Sequence, residues 1–352
     1  MIQITPKGGP TSPPASPAIP PNDAIAVQAK IQQTPIFMAV LNELNVNVDQ
    51  FNRRQRPIAD IETALSKKYG CKNRLISYVL RFGHIRTSMS TQDIPSIETA
   101  LTSISGAEQI NLLIHSPGGD GTIAEKLIEM CRTRLVGNNQ KLRVIVPNLA
   151  KSAATILALG ADEILMGHLS ELGPIDPQIT IVVSQMTQWV SAFAFVEARD
   201  KLVTAIETAI KKRQSAVALL QQLAGLNIPF TDEMENQIEF SKKTAITLLN
   251  KYMLKMRVKD NRKRAIMAAD IADKLLSKQL FPVHGHYIGG ATAKQLGLEV
   301  DLLDKDDELW QLIWDYYIRC EVQMNIPLQP PMIKTKLFES GNQISLITQD
   351  MP

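Results

Sequence analysis

A chain of 352 residues, 45% of them hydrophobic, is long enough to bury one sizeable core plus an accessory region. Lys and Arg number 38 against 35 Asp and Glu, a net charge of +3, and so near a balance gives no global attraction for nucleic acid. Cys71, Cys131 and Cys320 are widely separated, without a C-x-x-C pair, which argues against a disulfide framework and fits a reducing compartment.

Residues 1–23 are Pro-rich and poor in large apolar side chains, so they predict a disordered extension. No charged start followed by an apolar run is present there, which speaks against a secretory leader, and no later segment reaches the roughly 20 apolar residues of a spanning helix. A cytoplasmic protein without a membrane span is the expectation. Residues 24–73 read as a weakly helical segment. Arg74 to Phe82 (RLISYVLRF) has the character of a first core strand, and Ile97 to Ile104 that of a helix crossing to the next one.

Two strand, turn and helix units then follow in tandem. The apolar run Ile110 to His115 breaks at Ser116-Pro117-Gly118-Gly119, and Thr122 to Arg134 has helical spacing. Leu142 to Val146 repeats the pattern, with Pro147-Asn148-Leu149-Ala150-Lys151-Ser152 before the small-residue helix Ala153 to Ala161. This alternation predicts an α/β core of parallel strands covered by helices, with a long helical insertion. The chemistry belongs in the loops at the carboxyl ends of the strands. Gly118 and Gly119 free the backbone to present N–H groups to an oxygen, as an oxyanion hole requires, and Ser152 opens a helix whose first N–H groups favour negative charge. Taken singly, Gly-Gly is a turn and Ser152 an N-cap; in tandem they point to a nucleophile and its oxyanion site.

SPGG after an apolar strand, A-K-S-A-A at a helix start, then ALGADEILM and GPIDP, together resemble the Clp-type serine peptidase superfamily. The serine dehydrogenase proteinase branch, related to signal peptide peptidase A and the proteolytic subunit of Clp protease, is the most similar. The resemblance covers Arg74 to Gln178 and returns at His284 to Val300 (HGHYIGGATAKQLGLEV). It implies a ClpP/crotonase-like core over 74–183, a nucleophile at Ser152 and oxyanion donors at the N–H groups of Gly119 and Ala153. It further implies an extended or unfolded polypeptide as substrate and a homo-oligomer.

The general base is where this sequence departs from the superfamily. GPIDP offers Asp176 but no histidine at the place where the Clp subunit has one, so a Ser-His-Asp triad is not expected. The signal peptide peptidase branch uses a lysine, and a desolvated lysine can take a proton from serine. Lys243, with Lys242 beside it, is the favoured base; Lys201 and His284 (or its neighbour His286) are the alternatives, and His168 is a further histidine near the motif. For most of these lysines a solvated helix face is the ordinary role. No His, Cys or acidic cluster has metal-ligand spacing and there is no G-x-x-x-x-G-K-[ST], so neither metal nor cofactor is expected.

Beyond Gln178, Trp189 to Leu226 and Thr231 to Arg257 predict long helices, with 184–230 an inserted helical hairpin and 231–326 the closing part of the core. The basic run Lys255 to Arg264 lacks the interleaved aromatics of a nucleic-acid surface. Ala265 to Leu280, Ala291 to Leu296 and Asp306 to Met324 read as helices, Leu298 to Leu303 as a strand, and 327–352 as a Pro-interrupted tail. The function expected is peptide-bond hydrolysis through an acyl-enzyme. A catalytically inactive scaffold and a crotonase-type acyl-CoA enzyme are the alternatives.

Overall fold

The computed structural model describes residues 38–40, 43, 50–82, 87–104, 109–135, 137, 140–183, 186–325, 332–341 and 343–350; the extension read over 1–23 lies outside them. In order, α1 (Gln50–Tyr69) leads to β1 (Asn73–Leu80), α2 (Ile94–Ser103), β2 (Gln109–His115), α3 (Gly121–Thr133) and β3 (Lys141–Val146). The two-residue β4 (Leu149–Ala150), α4 (Ala153–Leu159), β5 (Glu163–Met166) and the two-residue β6 (Glu171–Leu172) follow. After them come β7 (Gln178–Val183), β8 (Met186–Ser191), α5 (Ala192–Lys211), α6 (Val217–Ala224) and α7 (Ile228–Leu248). A π-helical turn (Leu249–Met253) closes α7, before α8 (Asn261–Leu276), β9 (Ile288–Gly289) and α9 (Gly290–Leu296). The chain ends with β10 (Val300–Leu302), α10 (Glu308–Asn325), β11 (Met332–Ser340) and β12 (Gln343–Asp350).

The main sheet has seven strands in the order β10, β5, β3, β2, β1, β11, β12. Its first five are mutually parallel, and β11 and β12 are added antiparallel on the β1 edge. Strand side chains alternate between faces, and here both faces are apolar. Ile110, Leu112 and Ile114 of β2, with Val144 of β3 and Tyr78 of β1, pack under Leu127 and Ile128 of α3 and Leu157 of α4. On the opposite face Leu113, Ile145, Val79 and Leu165 meet Ile58, Ile61 and Leu65 of α1 and Trp310, Ile313 and Tyr316 of α10. The buried parallel core expected from the mostly apolar strands is therefore present, with helices on both sides.

Two segments differ from their reading in sequence. Trp189 lies in β8, not in a helix: the residues QITIVV and MTQWVS, rich in β-branched side chains, pair as an antiparallel hairpin, and helix begins only at Ala192. The helical insertion follows as α5 and α6, with α5 packed on α7 through Phe195 and Phe230, whose ring centroids are 5.1 Å apart. Asn227 starts α7 by accepting a hydrogen bond from the Phe230 N–H at 3.1 Å. The stretch read as a tail from 327 on supplies β11, which pairs with β1, and β12, which pairs with β11. Their apolar residues alternate with Lys334, Lys336 and Glu339, and that mixture hid them.

Candidate active site

A second, three-stranded sheet, β4-β6-β9, sits where the chain leaves the main sheet, and each of its strands is only two residues long. β4 runs parallel to β6, and β9 antiparallel to it. Residues just after β4, just after β6 and just before β9 must therefore gather at one end. Those residues are Ser152, Asp176 and His284. The β6–β9 register, Glu171 opposite Gly289 and Leu172 opposite Ile288, points residue 176 toward residue 284 when continued.

Ser152 has φ 51 and ψ −119, a conformation that non-glycine residues adopt only when their surroundings force it. Its side chain does not cap α4, so the N-cap role is not the one it fills. β4 imposes the turn: the Ser116 N–H donates to Leu149 O at 3.0 Å and the Lys151 N–H to Ser116 O at 3.0 Å, pinning both sides of the SPGG and AKS loops. Gly118 (φ 109) and Gly119 (φ 143) pass so close that side chains would not fit. A Cβ on Gly118 would lie 2.8 Å from Ser152 Cβ, and one on Gly119 2.4 Å from Met89 N. The Met89 N–H donates to Gly118 O at 2.8 Å and the Asp120 N–H to Met89 O at 3.0 Å. This bridge uses the neighbours' groups and turns the Gly119 N–H to the opposite side. The Ala153 N–H is the first of its helix and has no acceptor within it. Gly119 and Ala153, whose N–H groups are predicted as oxyanion donors, line the same cleft as the strained serine.

Asp176 is buried, and its Oδ1 lies 2.7 Å from His284 Nδ1. Its Oδ2 accepts from Gln178 Nε2 at 2.8 Å and from Ser191 Oγ at 3.0 Å. Burial alone would raise the carboxyl, but the hydrogen bond and charge of His284, with the donors Ser191 and Gln178, outweigh it and hold Asp176 below the usual carboxylate range. Ser152, Ala153, Gly118, Gly119 and His284 line one cleft of about 870 Å³, whose apolar wall is Ile156, Ile175, Phe240, Trp189 and Phe82.

The lysines favoured from sequence are not among the residues lining this cleft. Lys243 is 72% exposed on α7 and sits 3.2 Å from Glu239. Lys201 is 79% exposed beside Glu197, and Lys242 pairs with Asp273 at 2.5 Å. Lys151 points away from Ser152 and ties the small sheet together, bonding Glu171, Leu172 O and His286 O at 2.8 to 3.1 Å. His286 lies tilted against Phe281, and His168 packs edge-on against Trp310. The partnership of Asp176 with His284 was missed in sequence because their separation of 108 residues crosses the whole insertion. The signal was present in HGH and GPIDP, the two polar motifs beside short strands. Among the described residues no group of three or more His, Cys, Asp or Glu is arranged to hold a metal, and no helix is long and apolar enough to cross a membrane.

Residues 79–223 match the ClpP-like SDH-type serine proteinase family. Two proteins of Methanocaldococcus jannaschii, MJ0137 and MJ1495, both described as uncharacterized, are similar to parts of the chain. The first is 35% identical over 91 residues, 26% of this chain and 30% of the relative. The second is 40% identical over 70 residues, 20% of this chain and 23% of the relative. The chain thus spans less than a third of the length of either. Two solved structures of the 1510-N membrane-bound stomatin-specific protease, both mutants and one in complex with a substrate peptide, align at 14% identity with a TM-score of 0.26. The first covers 38% of this chain and 63% of that one, the second 66% and 94%. SPGG, the strained Ser152 and GPIDP all lie inside the segment that matches the ClpP-like SDH-type serine proteinase family.

Proposed function

We propose that the chain hydrolyses peptide bonds with Ser152 as nucleophile, His284 as general base and Asp176 as the group that orients His284. The observation that carries this is the 2.7 Å contact of His284 Nδ1 with a buried Asp176, on the same cleft as Ser152. Asp176 accepts the Nδ1–H, which leaves the other ring nitrogen, Nε2, as the acceptor. The Ser152 hydroxyl gives its proton to Nε2 as Oγ bonds the scissile carbonyl carbon. The carbonyl oxygen, now negative, takes hydrogen bonds from the Gly119 and Ala153 N–H groups, each worth about 3 to 4 kcal/mol where such donors have been removed. His284 then protonates the departing amine, and a water deprotonated by the same ring releases the acyl group from Ser152.

The substrate class is an extended polypeptide with apolar side chains beside the scissile bond, supported by the Ile156, Ile175 and Phe240 wall. A crotonase-type acyl-CoA role would leave the strained conformation of Ser152 without a use. The test is labelling by a fluorophosphonate probe of the native chain, Ser152→Ala, His284→Ala and Lys243→Ala. Labelling of the native and Lys243→Ala proteins alone is expected. A folded native protein that does not label removes the peptidase reading, and labelling lost in Lys243→Ala but kept in His284→Ala returns the base to the lysine.

A further inference from the structure

We propose that Lys336 is a positioning residue for the oxyanion site: from the C-terminal hairpin it braces residues 88–90, which in turn hold Gly118 and Gly119 against Ser152. The proposal rests on the peptidase reading above, and the brace comes from β11, outside the segment that matches the family.

The Lys336 side chain is 2% exposed, and the Asp93 carboxylate facing it is 0% exposed. The ammonium spends its three protons on Asp93 Oδ1 at 2.6 Å, Ser88 O at 2.6 Å and Ser90 Oγ at 3.0 Å. Asp93 Oδ2 accepts the Ser90 N–H at 2.8 Å and also the Tyr78 hydroxyl. Both residues that flank Met89 are therefore tied to one buried cation. Met89 is itself buried, and its backbone makes the two hydrogen bonds that hold the glycines, to Gly118 O and from the Asp120 N–H. Two links lead from the ammonium to the loop, and the loop touches the nucleophile.

A buried ion pair adds little net stability that apolar side chains of the same size would not give. What this one adds is direction, since three donors fix the height and tilt of 88–90 relative to the sheet. Oxyanion donors are sensitive to such placement: displacement by about 1 Å costs roughly 10²-fold in rate. Without the brace the cleft keeps its walls, so ground-state binding survives while stabilisation of the tetrahedral oxygen weakens.

The experiment uses the full-length double variant Lys336→Met/Asp93→Asn, which removes the cation without stranding a buried charge. Ser90→Ala, which removes only one of the three bonds, is the second variant should the first not fold. Expected for the double variant is a kcat at least 10-fold lower with KM within twofold, and a peptide-aldehyde inhibition constant raised in step with the fall in kcat. Ser90→Ala is expected to lie between it and the native protein. Hydrogen exchange at the Met89 and Asp120 amides is expected to be faster in both. Unchanged exchange at these amides, or kcat and KM falling together with thermal stability alone, overturns the brace. A native protein that fails to label or cleave overturns the peptidase reading instead, and the exchange measurement then decides the brace by itself.

Discussion

Asp176 Oδ1 and His284 Nδ1 lie 2.7 Å apart, one delivered by the loop after β6 and the other by the loop before β9. An amide at 176 keeps the shape but offers the imidazole a different pattern of donors and acceptors. Asp176→Asn is expected to lower kcat by about 10³- to 10⁴-fold with little change in KM, measured on a peptide with an apolar residue before the scissile bond. A fall of less than tenfold would remove Asp176 from the mechanism.

The same carboxylate makes stability depend on pH. Its folded pKa is depressed below the ordinary 3.8, chiefly because the His284 hydrogen bond and charge overcome the burial that would raise it. The stability it contributes is therefore present above that ordinary value and is lost as pH falls through the lower folded one. The melting-temperature gap between the native chain and Asp176→Asn is expected to narrow as pH falls below 4. A gap independent of pH would show that the carboxylate is not held by these partners.

Gly119 and Gly285 give a contrast that geometry decides. A methyl group at Gly119 would meet Met89 backbone at 2.4 to 2.5 Å, at a φ of 143 that side chains rarely take, whereas one at Gly285 meets nothing within 4 Å. Gly119→Ala is expected to lower kcat/KM by at least about 10²-fold through the displaced N–H. Gly285→Ala is expected to label at near the native rate, and equal loss in the two variants would contradict the packing.

His115, at the end of β2, is fully buried, and burial pushes its pKa down to about 3. Glu321 lies 3.3 Å away but does not counter this, because burial pushes that carboxyl up toward its neutral form, the Tyr317 hydroxyl and Arg81 only partly opposing. The unfolded chain binds a proton at this histidine from about pH 6.5 downward, and the folded chain does not until about pH 3. Native stability from urea unfolding is expected to fall by about 2 to 3 kcal/mol between pH 7 and 4.5 on this account. His115→Phe is expected to lack most of that slope; an identical slope would rule the histidine out as its source.

The parallel core was legible because both faces of each strand are buried: Ile110 to His115 and Leu142 to Val146 are mostly apolar, broken only by Asn111, His115 and Arg143, and the helices between them repeat every three to four residues. The Gly-Gly turn and Ser152 were legible for a related reason, since a short motif next to a strand end carries its own geometry. The base was not. Local pattern can name His284 as a histidine in a glycine-rich turn, but its partnership with Asp176 is made by two-residue strands, too short to leave a periodic trace. The hairpin of β11 and β12 was hidden by Lys334, Lys336 and Glu339, whose charges read as solvent-facing although all three are buried.

The short β4-β6-β9 sheet also sets when the site exists. Ser152 and Asp176 are synthesised early, but nothing carries residue 284 to them until β9, at 288–289, has been made. A chain still leaving the ribosome holds Ser152 and Asp176 before His284 is in place beside them, and the strand bearing Lys336 emerges later still. If Ser152 acts through His284 as proposed, the polypeptide passes through most of its own synthesis chemically silent.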